Sequence, residues 1–273
     1  MIPAAFDYHR ASSVDEAVSL LAEHGDEAKV LAGGQSLIPM MKLRLATPAV
    51  LVDVARVGDL SYVRDAGAHV AIGSMTRTCN VESDEVLREH VPLLGFVAGK
   101  VGDPQIRHRG TIGGSLAHAD PAADLPAAIL ALDATLVARG PGGQREIAAR
   151  DFFAGLWETT LAPDELLTEI RVPKLAGAGW SYQKFTRRAI DFAIVGAVAV
   201  RNGSTAVALV NMGSTPLRAT AVESALSQGA SAADAAAAAA DGTEPPSDLS
   251  ASAEYRQHLA QVFVRRALQE AGA

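Results

Sequence analysis

The sequence predicts an α+β protein in two parts, with a boundary near residue 175. Up to Pro173, short apolar runs alternate with helix-like periods. After LAGAG (175–179) the texture changes to three strand-like segments in succession and then an Ala-rich helical remainder. The first part is also interrupted by two glycine pairs of similar design, each with a short apolar lead and a polar follower. The chain has 273 residues, 49% hydrophobic and 20% charged, which suits one large or two smaller globular domains and argues against disorder.

The elements follow in order. Ser13 is placed to cap a helix over VDEAVSLLAEH, in which Val14, Ala17, Leu20 and Leu21 share a face and Gly25 is the stop. KVLA (29–32) is a short strand running into the first glycine pair, and AVLVDV (49–54) is a second strand. Residues 62–72 alternate around Asp65-Ala66-Gly67, and residues 135–148 around Gly140-Pro141-Gly142-Gly143, as two hairpins. Helices are expected over 84–100, with a break at Pro92, and over 120–132. Beyond the linker, SYQKFTRR, FAIVGAVAVR and TAVALVNMG read as strands and 254–271 as an amphipathic helix.

Composition excludes several functions. The net charge is −7 with no basic block, which disfavours nucleic acid and anionic membrane surfaces as partners. Cys79 is the one cysteine, so no internal disulfide and no cysteine-built zinc or iron–sulfur site is available. The N-terminal residues lack signal-peptide order. The apolar run 192–200 is far shorter than the ~20 residues that span a bilayer, so no transmembrane segment is expected and the location is read as cytoplasmic.

In LAGGQSLIPMMKLRL (31–45), Gly33 and Gly34 lead into Gln35-Ser36; in RGTIGGSLAHADPAAD (109–124), Gly113 and Gly114 lead into Ser115. One such pair is ordinarily a tight turn or bulge. Two together could hold both phosphates of a dinucleotide through bare backbone amides. The Rossmann glycine pattern is absent, and Gly95–Lys100 fails the P-loop spacing and lacks its Ser or Thr. His118, Asp120 and Asp124 have a spacing open to a metal. A helix start at Asp120-Pro121, with Asp124 favoured by the helix dipole, explains the same residues, and no metal site is assigned. In WSYQKFTRRAIDFAIV, a strand would put Lys184 and Arg188 on one face and Arg187 on the other, either as a charge-blunted edge or as cations beside an electron-rich cofactor.

The blocks AGGQSLIPMMKLR, QIRHRGTIGGSLAHADPAADLPA and YQKFTRRAIDFAIV, in this order and spacing, resemble the FAD-binding medium subunit of molybdenum hydroxylases. That group includes aerobic carbon monoxide dehydrogenase and the flavin domain of xanthine dehydrogenase. The resemblance runs over nearly the whole chain. It implies a two-part FAD-binding domain of the vanillyl-alcohol-oxidase type over 1–175, subdivided near 55, and a small α+β domain over 176–273. It places Ala32, Gly33, Gly34, Gln35 and Ser36 on the FAD pyrophosphate, with Thr111, Ile112, Gly113, Gly114 and Ser115 closing from the other side. Asp124, Leu167 and Lys184 match further FAD contacts. Ser115 stands where many relatives carry Asn, with one donor and a shorter reach, and Val97 stands where some carry an aromatic residue near the flavin.

The resemblance further implies electron transfer rather than substrate chemistry in this chain. FAD would take electrons from the [2Fe-2S] clusters of a small partner subunit, fed by a molybdenum–pterin cofactor in a large one, and pass them to an external acceptor. The expected assembly is a dimer of heterotrimers. A standalone FAD-dependent oxidase or reductase, and a scaffold that has lost FAD, remain alternatives at this point.

Overall fold

The structure is a computed structural model and describes residues 2–273. The chain opens with β1 (Asp7–Arg10), α1 (Val14–His24), β2 (Ala28–Leu31), α2 (Leu37–Lys42) and β3 (Val50–Asp53), which form a parallel sheet in the order β1-β3-β2. Ser13 caps α1, its hydroxyl accepting from the Glu16 amide at 3.1 Å, and Glu16 accepts in return from the Ser12 amide at 2.7 Å. Gly25, at φ 51°, ends the helix. β1 lies outside the strands expected from sequence, because DYHR is largely exposed and lacks an apolar pattern.

The second unit begins with the hairpin β4 (Val63–Asp65) and β5 (His69–Gly73). Its helices are α3 (Thr78–Ser83), α4 (Glu85–His90), α5 (Pro92–Ala98), α6 (Pro104–Arg107), α7 (Ile112–His118) and α8 (Asp124–Ala131). The hairpins β6 (Thr135–Gly140)–β7 (Gly143–Ala148) and β8 (Phe153–Gly155)–β9 (Glu158–Thr159), and then β10 (Leu166–Pro173), complete it. Pro92 does divide the expected helix over 84–100: it opens α5, while Asp84 caps α4 by accepting from the Leu87 amide at 3.1 Å. β10, unanticipated as a strand, is the centre of the antiparallel sheet β4-β5-β10-β6-β7. A bulge between Leu167 and Glu169 takes Thr168 out of register with β6, and the Thr168 carbonyl accepts from the Ser74 amide at 3.0 Å instead.

The last unit is β11 (Gly179–Phe185), β12 (Val195–Asn202), β13 (Ser204–Val210) and β14 (Leu217–Arg218) in one antiparallel sheet, followed by α9 (Thr220–Ser227), α10 (Ala232–Ala236) and α11 (Ala253–Glu270). Both faces of β12 and β13 are buried, hence their unbroken apolar sequence. Val198, Val200, Ala206, Ala208 and Val210 join the core that surrounds α8. Val195, Ala197, Ala199, Val207 and Leu209 pack with Phe263, Val264, Ala267 and Leu268 of α11. All eight residues of α8 are buried. Among the described residues no helix is long and apolar enough to cross a membrane.

β11 stops at Phe185 and β12 starts at Val195, so Arg187 and Arg188 stand outside any strand and Arg188 shares no face with Lys184. Residues 186–194 are a loop with a fixed exit. The Asn211 side-chain amide donates to the Ala193 carbonyl at 2.8 Å. Arg256 of α11, 1% exposed, donates to the Ile194 carbonyl and to Asp248, the latter at 2.7 Å.

Glu169 of β10 is 7% exposed and accepts from the Tyr62 hydroxyl at 2.5 Å, Arg64 at 2.9 Å and Arg171 at 2.5 Å. Desolvation alone would raise its pKa; the Tyr62 and Arg171 hydrogen bonds and the Arg171 and Arg64 charges outweigh it and leave the carboxyl lowered. Burial first, then the Glu169 bond, pushes the Tyr62 phenol up to about 12. A lowered carboxyl contributes stability above its unfolded pKa of about 4.3, and that contribution is lost as pH falls through the folded value. Thermal melts from neutral pH down through about pH 4 should therefore show a smaller acid-induced loss in Glu169→Gln than in the unsubstituted protein. Equal losses would remove Glu169 as a source of acid sensitivity.

Candidate cofactor site

Residues 32–36 leave the carboxyl end of β2, the edge at which parallel α/β sheets bind ligands. Gly33 is buried against the second glycine segment: a Cβ there would lie 2.3 Å from the Arg109 carbonyl oxygen and 2.9 Å from the Gly110 Cα. Only glycine permits that approach. Gly34 has φ 76°, a left-handed position. The carbonyls of Gly34 and Ser36 accept from the Ile38 and Met40 amides, each at 3.2 Å. Among the described residues, the amides of Gly33, Gly34, Gln35 and Ser36 donate to no protein acceptor. Consecutive unpartnered amides around a left-handed residue form a concavity suited to an anion.

The second pair is built differently, as the first turn of α7. Thr111 is the cap, its hydroxyl accepting from the Gly114 amide at 3.1 Å. The Ile112 amide donates to the Thr76 carbonyl at 3.0 Å, that of Gly113 to Ser74 at 2.8 Å and that of Ser115 to Thr111 at 3.0 Å. The glycines here serve close packing. A Cβ on Gly113 would lie 2.5 Å from the Ser74 Cβ; one on Gly114 would lie 2.7 Å from the Thr111 hydroxyl and 3.6 Å from the Ala32 Cβ. The two motifs thus meet, and residues 74–78 fasten the second: the Thr78 amide donates to the Gly110 carbonyl at 2.9 Å, and the Arg77 guanidinium donates to the Arg109 carbonyl. Ser74, Thr76, Thr78 and Thr111 are all buried. The run of small hydroxyl residues in GSMTRT (73–78) is the sequence signal that would have found this support.

Asp124 and Lys184, distant in sequence, are brought into direct contact. The carboxylate is 5% exposed and pairs with the Lys184 ammonium at 2.8 Å through one oxygen; the other accepts from the buried Tyr182 hydroxyl. Lys184, 10% exposed, also donates to the Lys100 carbonyl at 3.0 Å. Burial pushes the Asp124 carboxyl up, with Lys184 and Tyr182 pulling back, and burial plus the Asp124 charge push the Tyr182 phenol well above its usual range. Tyr182 was missed from sequence, although its place two residues before Lys184 on one strand puts both on the same face.

The remaining candidates separate. α8 starts at Asp124, not at Asp120-Pro121: the Asp120 side chain accepts from the Ala122 amide at 2.9 Å in a local turn, and the Pro121 carbonyl accepts from the Asn211 amide at 2.8 Å. His118 stacks on Trp157 at 6.5 Å, and burial lowers its pKa. No metal-binding cluster of His, Cys, Asp and Glu is found among the described residues. Leu167 buries its side chain beside the Thr168 bulge, whose carbonyl holds the same Ser74 that anchors Gly113. Val97 is wholly in the core.

Residues 4–175 match the family described as the FAD binding domain in molybdopterin dehydrogenase. The chain belongs to that family. Residues 180–271 match the CO dehydrogenase flavoprotein C-terminal domain. The carbon monoxide dehydrogenase medium chain of Hydrogenophaga pseudoflava is 43% identical over 284 residues, covering 100% of this chain and 99% of the relative. The 6-hydroxypseudooxynicotine dehydrogenase complex subunit alpha of Paenarthrobacter nicotinovorans is 38% identical over 283 residues, covering 99% and 96%. A solved structure of the H. pseudoflava carbon monoxide dehydrogenase lacking the Mo-pyranopterin moiety superposes with a TM-score of 0.96 at 43% identity, covering 100% and 99%. The chain is therefore an FAD-binding oxidoreductase subunit of the molybdenum hydroxylase type, and the loop of free amides beside a glycine-only contact fits that cofactor.

Removing either partner of the buried Asp124–Lys184 pair leaves an uncompensated charge, and removing Asp124 also leaves the Tyr182 hydroxyl unpaired. Asp124→Ala should lower stability by about 3–5 kcal/mol in denaturant titrations, and Lys184→Met should also destabilise. Combining an apolar replacement of Asp124 with Lys184→Met should recover most of the loss. A fully additive double variant would refute direct coupling.

Proposed function

We propose that residues 32–36 hold the FAD diphosphate and that Thr111, Ile112, Gly113, Gly114 and Ser115 close the site from the opposite side. The observation that carries this reading is the run of four free amides at Gly33, Gly34, Gln35 and Ser36, with the left-handed Gly34 among them. The amides of α7 already have protein acceptors, so in this reading the second motif contributes shape and the Ser115 hydroxyl, and the first contributes the amide donors. Asp124, Leu167 and Lys184 form the flavin end, with Asp124 orienting Lys184 and Tyr182 fixing Asp124. FAD would supply the conversion between single-electron and paired-electron transfer, and the residues named here would bind and orient it.

We further propose that the chain works between an iron–sulfur small subunit and a molybdenum large subunit in a cytoplasmic dimer of heterotrimers, receiving electrons from the former and passing them to an external acceptor. Support comes from the single cysteine, the lack of a metal-binding cluster among the described residues and the names of the relatives, one a medium chain and another a subunit of a complex. Relatives of similar identity belong by name to enzymes as unlike as a carbon monoxide dehydrogenase and a 6-hydroxypseudooxynicotine dehydrogenase complex, so substrate choice is assigned to the partner. The working division is 1–175 for FAD, subdivided near 55, and 176–273 for the closing domain.

Gly33→Val should purify without flavin, because the new side chain drives the two loops apart; Gly114→Val should do the same. Flavin absorbance per folded chain is the readout, and a flavin-replete Gly33→Val protein would sink the diphosphate assignment. The isolated chain with FAD should show no dehydrogenase turnover with carbon monoxide, an aldehyde or an N-heterocycle, and adding the two partner subunits from the same source should restore it. Full turnover by the lone chain would make it an independent flavoenzyme.

A further inference from the structure

Tyr182 of β11 is buried in the core around α8, and a glycine makes room for its hydroxyl. Gly196 lies inside β12, opposite Lys184 on β11 and Val210 on β13. A Cβ there would lie 3.2 Å from the Tyr182 hydroxyl oxygen and 3.0 Å from the Val210 Cβ. Glycine in a strand interior weakens the strand, so the space serves something other than the sheet. The hydroxyl it admits donates to Asp124, the one charged residue of the otherwise apolar α8. Well-packed apolar residues of similar volume are often as stable as a buried ion pair, so stability does not account for the chain Tyr182–Asp124–Lys184. That chain ends on an unfinished donor. Of the three Lys184 N–H groups, one goes to Asp124 at 2.8 Å and one to the Lys100 carbonyl at 3.0 Å; among the described residues the third has no protein acceptor.

Resting on the reading above that Lys184 belongs to the flavin end, we propose that Tyr182 is a positioning residue whose hydroxyl holds the Asp124 carboxylate against Lys184, so that the ammonium offered to the flavin is fixed and charge-compensated. Gly196 is the space this arrangement requires. Each Asp124 oxygen has one side-chain donor, Tyr182 on one and Lys184 on the other. Burial already works against the charged carboxylate. Without the Tyr182 hydroxyl one oxygen is buried with no donor, the neutral acid gains, and Lys184 loses its counter-charge. An uncompensated cation beside a flavin favours the reduced, more negative form of the ring. Tyr182 would thus act on the flavin's midpoint potential without touching it, through Asp124 and then Lys184.

The test measures the flavin midpoint potential of the full chain loaded with FAD, by equilibration with a reference dye, alongside its melting temperature. Tyr182→Phe keeps the ring and removes only the donor, and its potential should shift upward. Asp124→Asn removes the counter-charge outright and should shift it upward at least as far. Because Tyr182 acts through Asp124, adding Tyr182→Phe to Asp124→Asn should move the potential no further. Gly196→Ala leaves every polar group in place and only crowds the phenol; it should shift the potential in the same direction by less, and it carries the test if Tyr182→Phe does not fold. An unchanged or lowered potential in Tyr182→Phe overturns the proposal, whatever the melting temperature does, because a purely structural role moves the melt alone. Fully additive shifts in the double variant overturn it as well. An unsubstituted chain that binds no FAD would instead overturn the cofactor reading on which the proposal rests, a failure read before any variant is made.

Discussion

The contact between Gly33 and the Arg109 carbonyl is the constraint on which the loop of free amides is built. It lets the turn after β2 lie flush on the segment leading into α7. That segment cannot yield, because it is pinned to residues 74–78 through amide–carbonyl bonds at Thr78, Ile112 and Gly113. One glycine motif is therefore rigid and hydrogen-bond saturated, and the other is shaped by it but left with its donors free. The similarity of the two motifs in sequence hides this division of labour. Gly113 is needed because Ser74 occupies the space of its Cβ, while Gly34 is needed for its backbone angle.

At the other end, Asp124 does a comparable job by charge. Buried ion pairs are weak evidence for net stability, since desolvation offsets much of the attraction. Their value here is positional. Asp124 opens α8, Tyr182 and Lys184 come from β11, and the Lys100 carbonyl, just beyond α5, takes another of the ammonium protons. Three segments are thereby registered at one carboxylate, in a place where a rotamer change would leave a charge unpaired.

What was legible in the sequence was local. The Ser13 cap, both glycine-centred hairpins and the break at Pro92 each depend on backbone chemistry within a few residues, and each stands where the pattern put it. What failed depended on distant partners. β10 is a strand because β5 and β6 flank it. FTRR looked like the continuation of the β11 strand, but β12 supplies pairing only as far as Phe185. Asp120-Pro121 has the composition of a helix start, yet the Asn211 amide claims the Pro121 carbonyl and the helix begins later. Asp124 and Lys184 were singled out by family resemblance, but their meeting, and the role of Tyr182, came only with the fold.

The sharing of one core between α8 and the sheet β11–β14 reaches beyond architecture. Val198, Val200, Ala208 and Val210 lie against the same apolar interior as Leu125, Ile129 and Leu136, so neither stretch has a finished surface without the other. The two segments that match separate family models thus depend on one another to complete a core. Damage to the closing sheet would be read out at the loop of free amides, in a chain whose glycine motifs are intact.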